Sequence, residues 1–351
     1  MSTHQKALVL PIKQGTFELH SVPIPTPGPG QLLVRMHAVA LNPVDWKVQA
    51  RGILVEDYPF ILGTDNAGTV EVIGEEVYGF SKGDRVFTQG TFESTHGGFQ
   101  QYALFNASVT AKIPENLTFE QAATIPVGLG TAVLGLYTPR TPEDIECGSA
   151  QLTAPWDSDG RGIYAGRPFV VLGASSSVGQ YALQLARLSG FSPIIVTASL
   201  HHTDYLKSLG ATHVVDRHLP FEALRSNLAA ITSKPFEVIF DAVSLPDTQS
   251  VAYDLLAPGG CLVLVLFPAI TLIANKRIAK VFGQVNFPPE NLEVGVSLYK
   301  VLPELLAEGA IQPNRVEVIP GGLGGIRAGL DRLKNDTVSG VKLVVRSQET
   351  A

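Results

Sequence analysis

Between residues 7 and 109, apolar positions come in short runs separated by turn residues. Leu32-Leu33-Val34-Arg35-Met36 and Ala67-Gly68-Thr69-Val70-Glu71-Val72-Ile73 are two such runs, and a Gly83-Asp84 turn precedes Arg85-Val86-Phe87. Strands this short, bounded by Gly, Pro and Asp, predict a barrel-like β region. Residues 120–137 then read as helix, interrupted at the Gly128/Gly130 pair. Residues 138–166 are rich in Pro, Gly and acids without a period, and predict an exposed insertion or linker. From Pro168 buried strands alternate with helices. The strands are 169–172, 194–197, 214–216, 238–241 and 262–266; the helices are 178–189, 202–209, 221–231 and 248–256. That alternation predicts an α/β fold with a doubly wound parallel sheet covered on both faces. Beyond residue 287, helix 294–308, strand 316–319, helix 326–334 and strand 342–346 do not continue the series. The chain is therefore expected to return to the first domain. The expected boundaries are 1–125 with 291–351 for one domain, and 126–290 for the other.

Composition narrows the function classes. The chain has 351 residues, 26 Lys+Arg against 32 Asp+Glu and a net charge of −6, so it lacks the basic excess that nucleic-acid binding needs. A hydrophobic share of 45% excludes a disordered chain. Two cysteines, Cys147 and Cys261, cannot build a disulfide framework or an all-cysteine zinc site. No apolar signal segment opens the chain, and the apolar stretch 261–274 is too short to span a bilayer. A soluble, cytoplasmic protein with no membrane partner is expected.

The first strand of the alternating region runs into Gly173-Ala174-Ser175-Ser176-Ser177-Val178-Gly179 and then a helix. A phosphate-binding turn needs a tight backbone, N–H donors and a helix N-terminus facing the anion. Gly173 and Gly179 fit the first and last glycines of the dinucleotide fingerprint; Ser176 replaces the middle one. NAD enzymes place an acid near the end of the second strand to hold the ribose 2′-hydroxyl. Here that strand ends Thr197-Ala198-Ser199-Leu200-His201-His202, with no acid before Asp204. Ser199, the imidazoles of His201 and His202, and Arg217 after the third strand would tolerate a 2′-phosphate. NADPH is the expected cofactor.

Several segments now carry a resemblance. Gly63-Thr64-Asp65-Asn66-Ala67-Gly68, Gly83-Asp84-Arg85-Val86, Gly97-Gly98-Phe99-Gln100-Gln101-Tyr102, the run 113–123 and Gly130-Thr131-Ala132 occur in the order and spacing of the medium-chain dehydrogenase/reductase superfamily. The chain resembles its quinone-oxidoreductase branch. With Asn42-Pro43-Val44-Asp45-Trp46-Lys47, the closing Ser339-Gly340-Val341-Lys342-Leu343-Val344-Val345 and the insertion, it is most similar to fungal enoyl reductases acting in trans with polyketide synthases. The resemblance implies a GroES-like β-barrel catalytic domain plus a Rossmann domain, with the active site in the cleft between them. It implies that Val44, Asp45, Trp46 and Lys47 face the nicotinamide end, and that Thr131 lies near the nicotinamide. Ser175, Ser176, Ser177 and Val178 would meet the pyrophosphate. Leu266 and Phe267 would flank the nicotinamide, and Val341 and Lys342 would close over it. Residues 268–290 would cap the substrate cleft; Lys276, Arg277 and Lys280 within them read first as a solvated helix face, or as an attractor for an anionic carrier.

Zinc members of the superfamily use Cys, His and Cys as catalytic ligands, and the corresponding positions here are Asn42, Thr64 and Val127. None is a good zinc ligand, so no metal is expected. Without a Lewis acid, the chemistry expected is hydride addition to the β-carbon of an α,β-unsaturated carbonyl, with the enolate oxygen held by prepared donors. Lys47 is the leading side chain for that task, with Asp45 orienting it or binding ribose and Thr131 donating near the carboxamide. Tyr58, Tyr102 and Tyr137 are candidate proton donors, although core packing explains each as well. An enone- or quinone-reducing enzyme and a non-catalytic NADPH-binding sensor stay open, as do a polyketide synthase partner and a monomer or homodimer.

Overall fold

The computed structural model describes residues 3–139, 148–271 and 275–351. Cys147 and part of the 138–166 insertion lie outside them. The chain forms two compact units: 1–127 with 295–307 and 313–351, and 128–294 with 308–312.

The first unit is built on β-structure. Its larger sheet is centred on the strand Gln31–Ala40, which pairs antiparallel with Asp65–Ile73 and Tyr102–Asn106. The C-terminal strand Lys342–Val345 adds to the same sheet, and Val316–Ile319 pairs with it in parallel. A smaller sheet holds His4–Leu10 between Glu18–Pro23 and Phe60–Ile61. The core between these elements is apolar, with Leu8, Leu10, Leu32, Met36, Phe99 and Phe105 fully buried. Residues 42–47, given no element from the pattern, enter the helix Pro43–Arg51. Pro43 fits its first turn, where a missing N–H costs nothing, and Gly52 ends it in the left-handed region at φ 63°.

The second unit carries six parallel strands in the order His213–Asp216, Ile194–Ala198, Phe169–Leu172, Phe236–Asp241, Leu256–Leu264, Arg277–Lys280. This is the 3-2-1-4-5-6 order of the dinucleotide fold, with the chain crossing from one side to the other beside the first strand. The two strands Phe169–Leu172 and Ile194–Ala198, inside the sheet, are buried along their whole length, as expected where helices cover both faces.

Several expectations need correction. The helix of residues 120–137 is two helices, Phe119–Ala123 and Pro126–Tyr137. The break falls before Pro126, whose ring and missing N–H interrupt the ladder, while the glycines sit inside the second helix. The described part of the insertion is exposed at Asp157, Ser158, Asp159, Arg161 and Ile163 but packed elsewhere: Ser149, Ala150 and Ala154 are buried, and Tyr164 stacks on Phe191 with ring centroids 4.8 Å apart. Arg277 and Lys280 lie on the sixth strand and not on a helix face. The three cations of that segment have local partners. Lys276 donates to the Tyr253 carbonyl, Arg277 to Gln151, and the Lys280 ammonium sits 3.9 Å from the centroid of Phe267. Among the described residues, no helix is long and apolar enough to cross a membrane.

Candidate functional site

In the second unit the strand Phe169–Leu172 enters its turn through Gly173, at φ +73°. A β-carbon there would also stand 2.4 Å from Val243 Cγ2, so both conformation and space require glycine. Ser176 N-caps the helix Ser177–Leu188, its hydroxyl accepting from the Gly179 amide at 3.1 Å. A serine in the middle glycine's place thus contributes a cap. Gly179 packs flat against the turn; a β-carbon there would lie 2.4 Å from the Gly173 carbonyl oxygen. The loop is braced from behind. Gln180 Nε2 donates to the Ser175 carbonyl at 2.9 Å, and the Tyr205 hydroxyl donates to Gln180 Oε1 at 2.7 Å. The turn and the amino end of the helix form the kind of backbone cradle that receives a pyrophosphate.

At the end of the second strand, Arg217 Nε donates to Ser199 Oγ at 2.9 Å. The structure brings these two residues together, 18 positions apart in sequence, on the same edge. His201 is exposed beside them, whereas His202 is buried, the two rings 4.0 Å apart. Thr131 is buried on the helix Pro126–Tyr137 against Gly283, where a β-carbon would meet its hydroxyl at 2.3 Å. Leu266 and Phe267 lie beyond the end of the strand Leu256–Leu264, and Phe267 is 76% exposed. Gln249 fixes that segment, donating to the Phe267 carbonyl at 3.0 Å and accepting from the Ala269 amide at 2.7 Å.

The first unit contains a buried polar cluster centred on Asp65, which is 0% exposed. Its Oδ1 accepts from the Val127 amide at 2.7 Å. Its Oδ2 accepts from Asn42 Nδ2 at 2.9 Å and lies 2.8 Å from the Lys342 ammonium. Lys342 also donates to Asn42 Oδ1 at 2.6 Å, closing a triangle of Asp65, Asn42 and Lys342. The orientation of the Asn42 amide follows from chemistry: its oxygen must face the ammonium, which only donates, and its nitrogen the carboxylate, which only accepts. Lys342, expected over the nicotinamide, has both of these bonds inside the cluster and is 4% exposed. Thr64, next to Asp65, is 3% exposed, and its hydroxyl has no hydrogen-bond partner among the described residues.

Asp45 sits on the third residue of the helix Pro43–Arg51 and accepts from the Asn42 amide at 2.8 Å. Its carboxyl is raised to about 7, first by burial and then by the charge of Asp65; the Asn42 amide and Lys342 oppose the rise. Asp45 therefore engages its own helix start and the Asp65 cluster. Lys47, half-buried on the same helix, has its ammonium shifted down, chiefly by burial and then by Arg51, with Asp336 opposing. Its ammonium stands 5.8 Å from the Trp46 ring centroid. Val44 is half-buried beside them. Of the candidate tyrosines, Tyr58 donates to the Val55 carbonyl at 3.2 Å. Tyr137 is buried, with its hydroxyl 2.8 Å from Ser189 Oγ and its ionisation pushed far up by burial. Tyr102 is half-buried on its strand. Sequence reasoning used Asn42 and Thr64 only as failed ligand positions and missed the Asp65 cluster. The one available signal was a Lys opening the otherwise apolar strand Lys342–Val345.

Comparison with known proteins joins these two halves. Residues 28–115 match the alcohol dehydrogenase GroES-like domain, and residues 177–282 match the zinc-binding dehydrogenase domain. The trans-enoyl reductase himH of Aspergillus japonicus is 34% identical over 323 residues, covering 90% of this chain and 89% of that protein. The chain belongs to the medium-chain dehydrogenase/reductase superfamily. Another relative is the enoyl reductase component lovC of the lovastatin nonaketide synthase of Aspergillus terreus, 30% identical over 353 residues and covering 93% of this chain and 92% of that one. Among solved structures, an alcohol dehydrogenase superfamily protein from Novosphingobium aromaticivorans aligns with a TM-score of 0.79 at 24% identity, over 97% of this chain and 99% of its own. The JamJ enoyl reductase aligns at 0.76 and 20% identity, over 98% of this chain and 99% of its own. As in other superfamily members, the Rossmann unit is a nicotinamide-dinucleotide module. Zinc, which the matched domain's description implies, does not fit the residues present. Asn42 presents an amide already hydrogen-bonded on both atoms, Thr64 a hydroxyl and Val127 no side-chain donor, and the Lys342 ammonium already supplies positive charge to the cluster.

Proposed function

We propose that this protein is an NADPH-dependent, zinc-independent reductase of activated carbon–carbon double bonds, acting in trans on an enoyl thioester borne by a polyketide synthase carrier. The observation that carries the chemistry is the Asp65–Lys342–Asn42 cluster. It fixes the Asn42 amide as a hydrogen-bond donor, locked in orientation by the Lys342 ammonium and the Asp65 carboxylate, where a metal-dependent relative would need ligands. Such donors suit a negative charge that develops on a carbonyl oxygen during conjugate reduction.

Reduced nicotinamide, when bound, supplies a hydride. The chain's own residues hold and orient it. The Ser175–Ser177 turn and the start of the following helix cradle the pyrophosphate. The Ser199–Arg217 pair takes the adenosine 2′-phosphate, with His201 beside it. Thr131, Leu266, Phe267 and Val341 border the nicotinamide. Lys47, half-buried on the helix Pro43–Arg51, contacts the cofactor ribose or the substrate carbonyl. The carrier-bound substrate is supported by the full-length likeness to trans-enoyl reductases.

The test is NADPH oxidation by purified protein with enoyl thioesters, free enones and quinones in parallel. Turnover fastest on the thioesters supports the proposal. Turnover confined to quinones, or cofactor binding with no turnover on any of the three, refutes it.

A further inference from the structure

Two features of the first unit are left over once its packing is explained. The Thr64 hydroxyl is buried and, among the described residues, has no hydrogen-bond partner. A buried polar group without a partner costs about 1–3 kcal/mol, which folding tolerates most readily where a ligand completes the bond. The second feature is the Asn42 amide. It carries two N–H donors, and one goes to Asp65 Oδ2. The Lys342 ammonium on Oδ1 prevents the amide from turning over, so the other N–H is held in a fixed direction. Asp65 ties the two features together: it follows Thr64 in the chain, and its carboxylate grips Asn42.

We infer that Asn42 and Thr64 are the donors that receive the substrate's carbonyl oxygen, and that Lys342 and Asp65 are positioning residues that hold the Asn42 amide in its donating orientation. This inference rests on the proposed double-bond reductase activity. In the reaction the C4–H bond of the dihydronicotinamide breaks and a C–H bond forms at the substrate β-carbon. The double-bond electrons move toward the carbonyl, leaving an enolate. The Asn42 N–H and the Thr64 O–H donate to that enolate oxygen. A proton from water then reaches the α-carbon, giving the saturated thioester and the oxidised cofactor. Lys342 and Asp65 touch neither substrate nor cofactor; they set which edge of Asn42 faces outward.

The test uses the full-length protein with NADPH and an enoyl thioester such as crotonyl-pantetheine. Thr64→Val keeps shape and removes the donor. It should lower kcat by on the order of a hundredfold, the usual effect of losing one oxyanion donor. NADPH affinity, read by cofactor fluorescence, and the melting temperature should stay near wild type. Thr64→Ser should restore most of the turnover. Lys342→Met should lower kcat while leaving NADPH affinity within a few-fold, and Lys342→Arg, which keeps the cation, should keep more turnover than Lys342→Met and covers the case in which the Met variant does not fold. Two results overturn the inference. One is wild-type kcat in Thr64→Val, which would make that hydroxyl a holder of solvent only. The other is a large loss of NADPH affinity with unchanged kcat in either Lys342 variant, which would make Lys342 a cofactor ligand. A wild-type protein that reduces no enone or enoyl thioester would instead fail the functional proposal itself.

Discussion

Lys342→Met is the perturbation that the Asp65 cluster should feel most. The ammonium and carboxylate are 2.8 Å apart, with side chains 5% and 0% exposed. At that distance two unit charges attract by about 6 kcal/mol with an effective dielectric of about 20. Dehydrating the lysine offsets several kcal/mol of this, so the pair is worth little against an apolar replacement of both partners. Removing one partner is different. Asp65 would keep its bonds from the Val127 and Asn42 nitrogens but would have no countercharge. Such one-sided losses cost about 3–5 kcal/mol. For a unit of this size each kcal/mol moves the midpoint by roughly 2–4 °C, giving a fall of roughly 6–20 °C. Scanning calorimetry follows the first unit's transition. Adding Asp65→Asn to Lys342→Met removes the stranded charge and leaves two amides that can bond each other. The double variant should regain at least half the loss. A Lys342→Met protein melting within about 2 °C of wild type, or a double variant as unstable as the sum of the singles, would show that the Lys342–Asp65 pair does not hold the cluster together.

Three further outcomes follow from other parts of the structure. Arg217→Ala should weaken NADPH binding about tenfold, the worth of one charge-assisted bond to a phosphate, and leave NADH binding unchanged, as isothermal titration with both cofactors would show. Asp45, raised to about 7 by burial and Asp65, binds a proton more tightly folded than unfolded. Its contribution to stability is complete below about pH 4 and is lost as pH rises through about 7; melting temperature should therefore fall over that window in wild type, and Asp45→Asn should flatten the fall. Ser176→Ala removes the cap on the Gly179 amide and should cost about 1 kcal/mol in the second unit's unfolding, with weaker NADPH binding in the same protein.

The alternating strands and helices from Phe169 onward were legible because parallel strands buried on both faces are continuous apolar runs. The glycine turn was legible because backbone geometry restricts its residues: Gly173 at φ +73° admits little else. The pairing of Ser199 with Arg217 could be anticipated from two strand ends that neighbour each other in the dinucleotide fold. The sixth strand was not legible. Lys276, Arg277 and Lys280 hide its pattern, and an edge strand tolerates charge that a central one would not. The helix Pro43–Arg51 was missed because its helical positions carry only a weak apolar face. The Asp65 cluster was beyond sequence reasoning for another reason. Its members are 23 and 300 positions from Asn42, and no local pattern reports which buried polar groups will find one another.

The proposed activity is delivery of hydride from NADPH to a conjugated double bond. NADPH deuterated at the transferring C4 position, incubated with the protein and an enoyl thioester, tests it in one mass-spectrometric analysis of the product. The product should be a saturated thioester carrying one deuterium, on the β-carbon. A product labelled at the carbinol carbon of an alcohol, or recovered unsaturated thioester with the NADPH unoxidised, would contradict it.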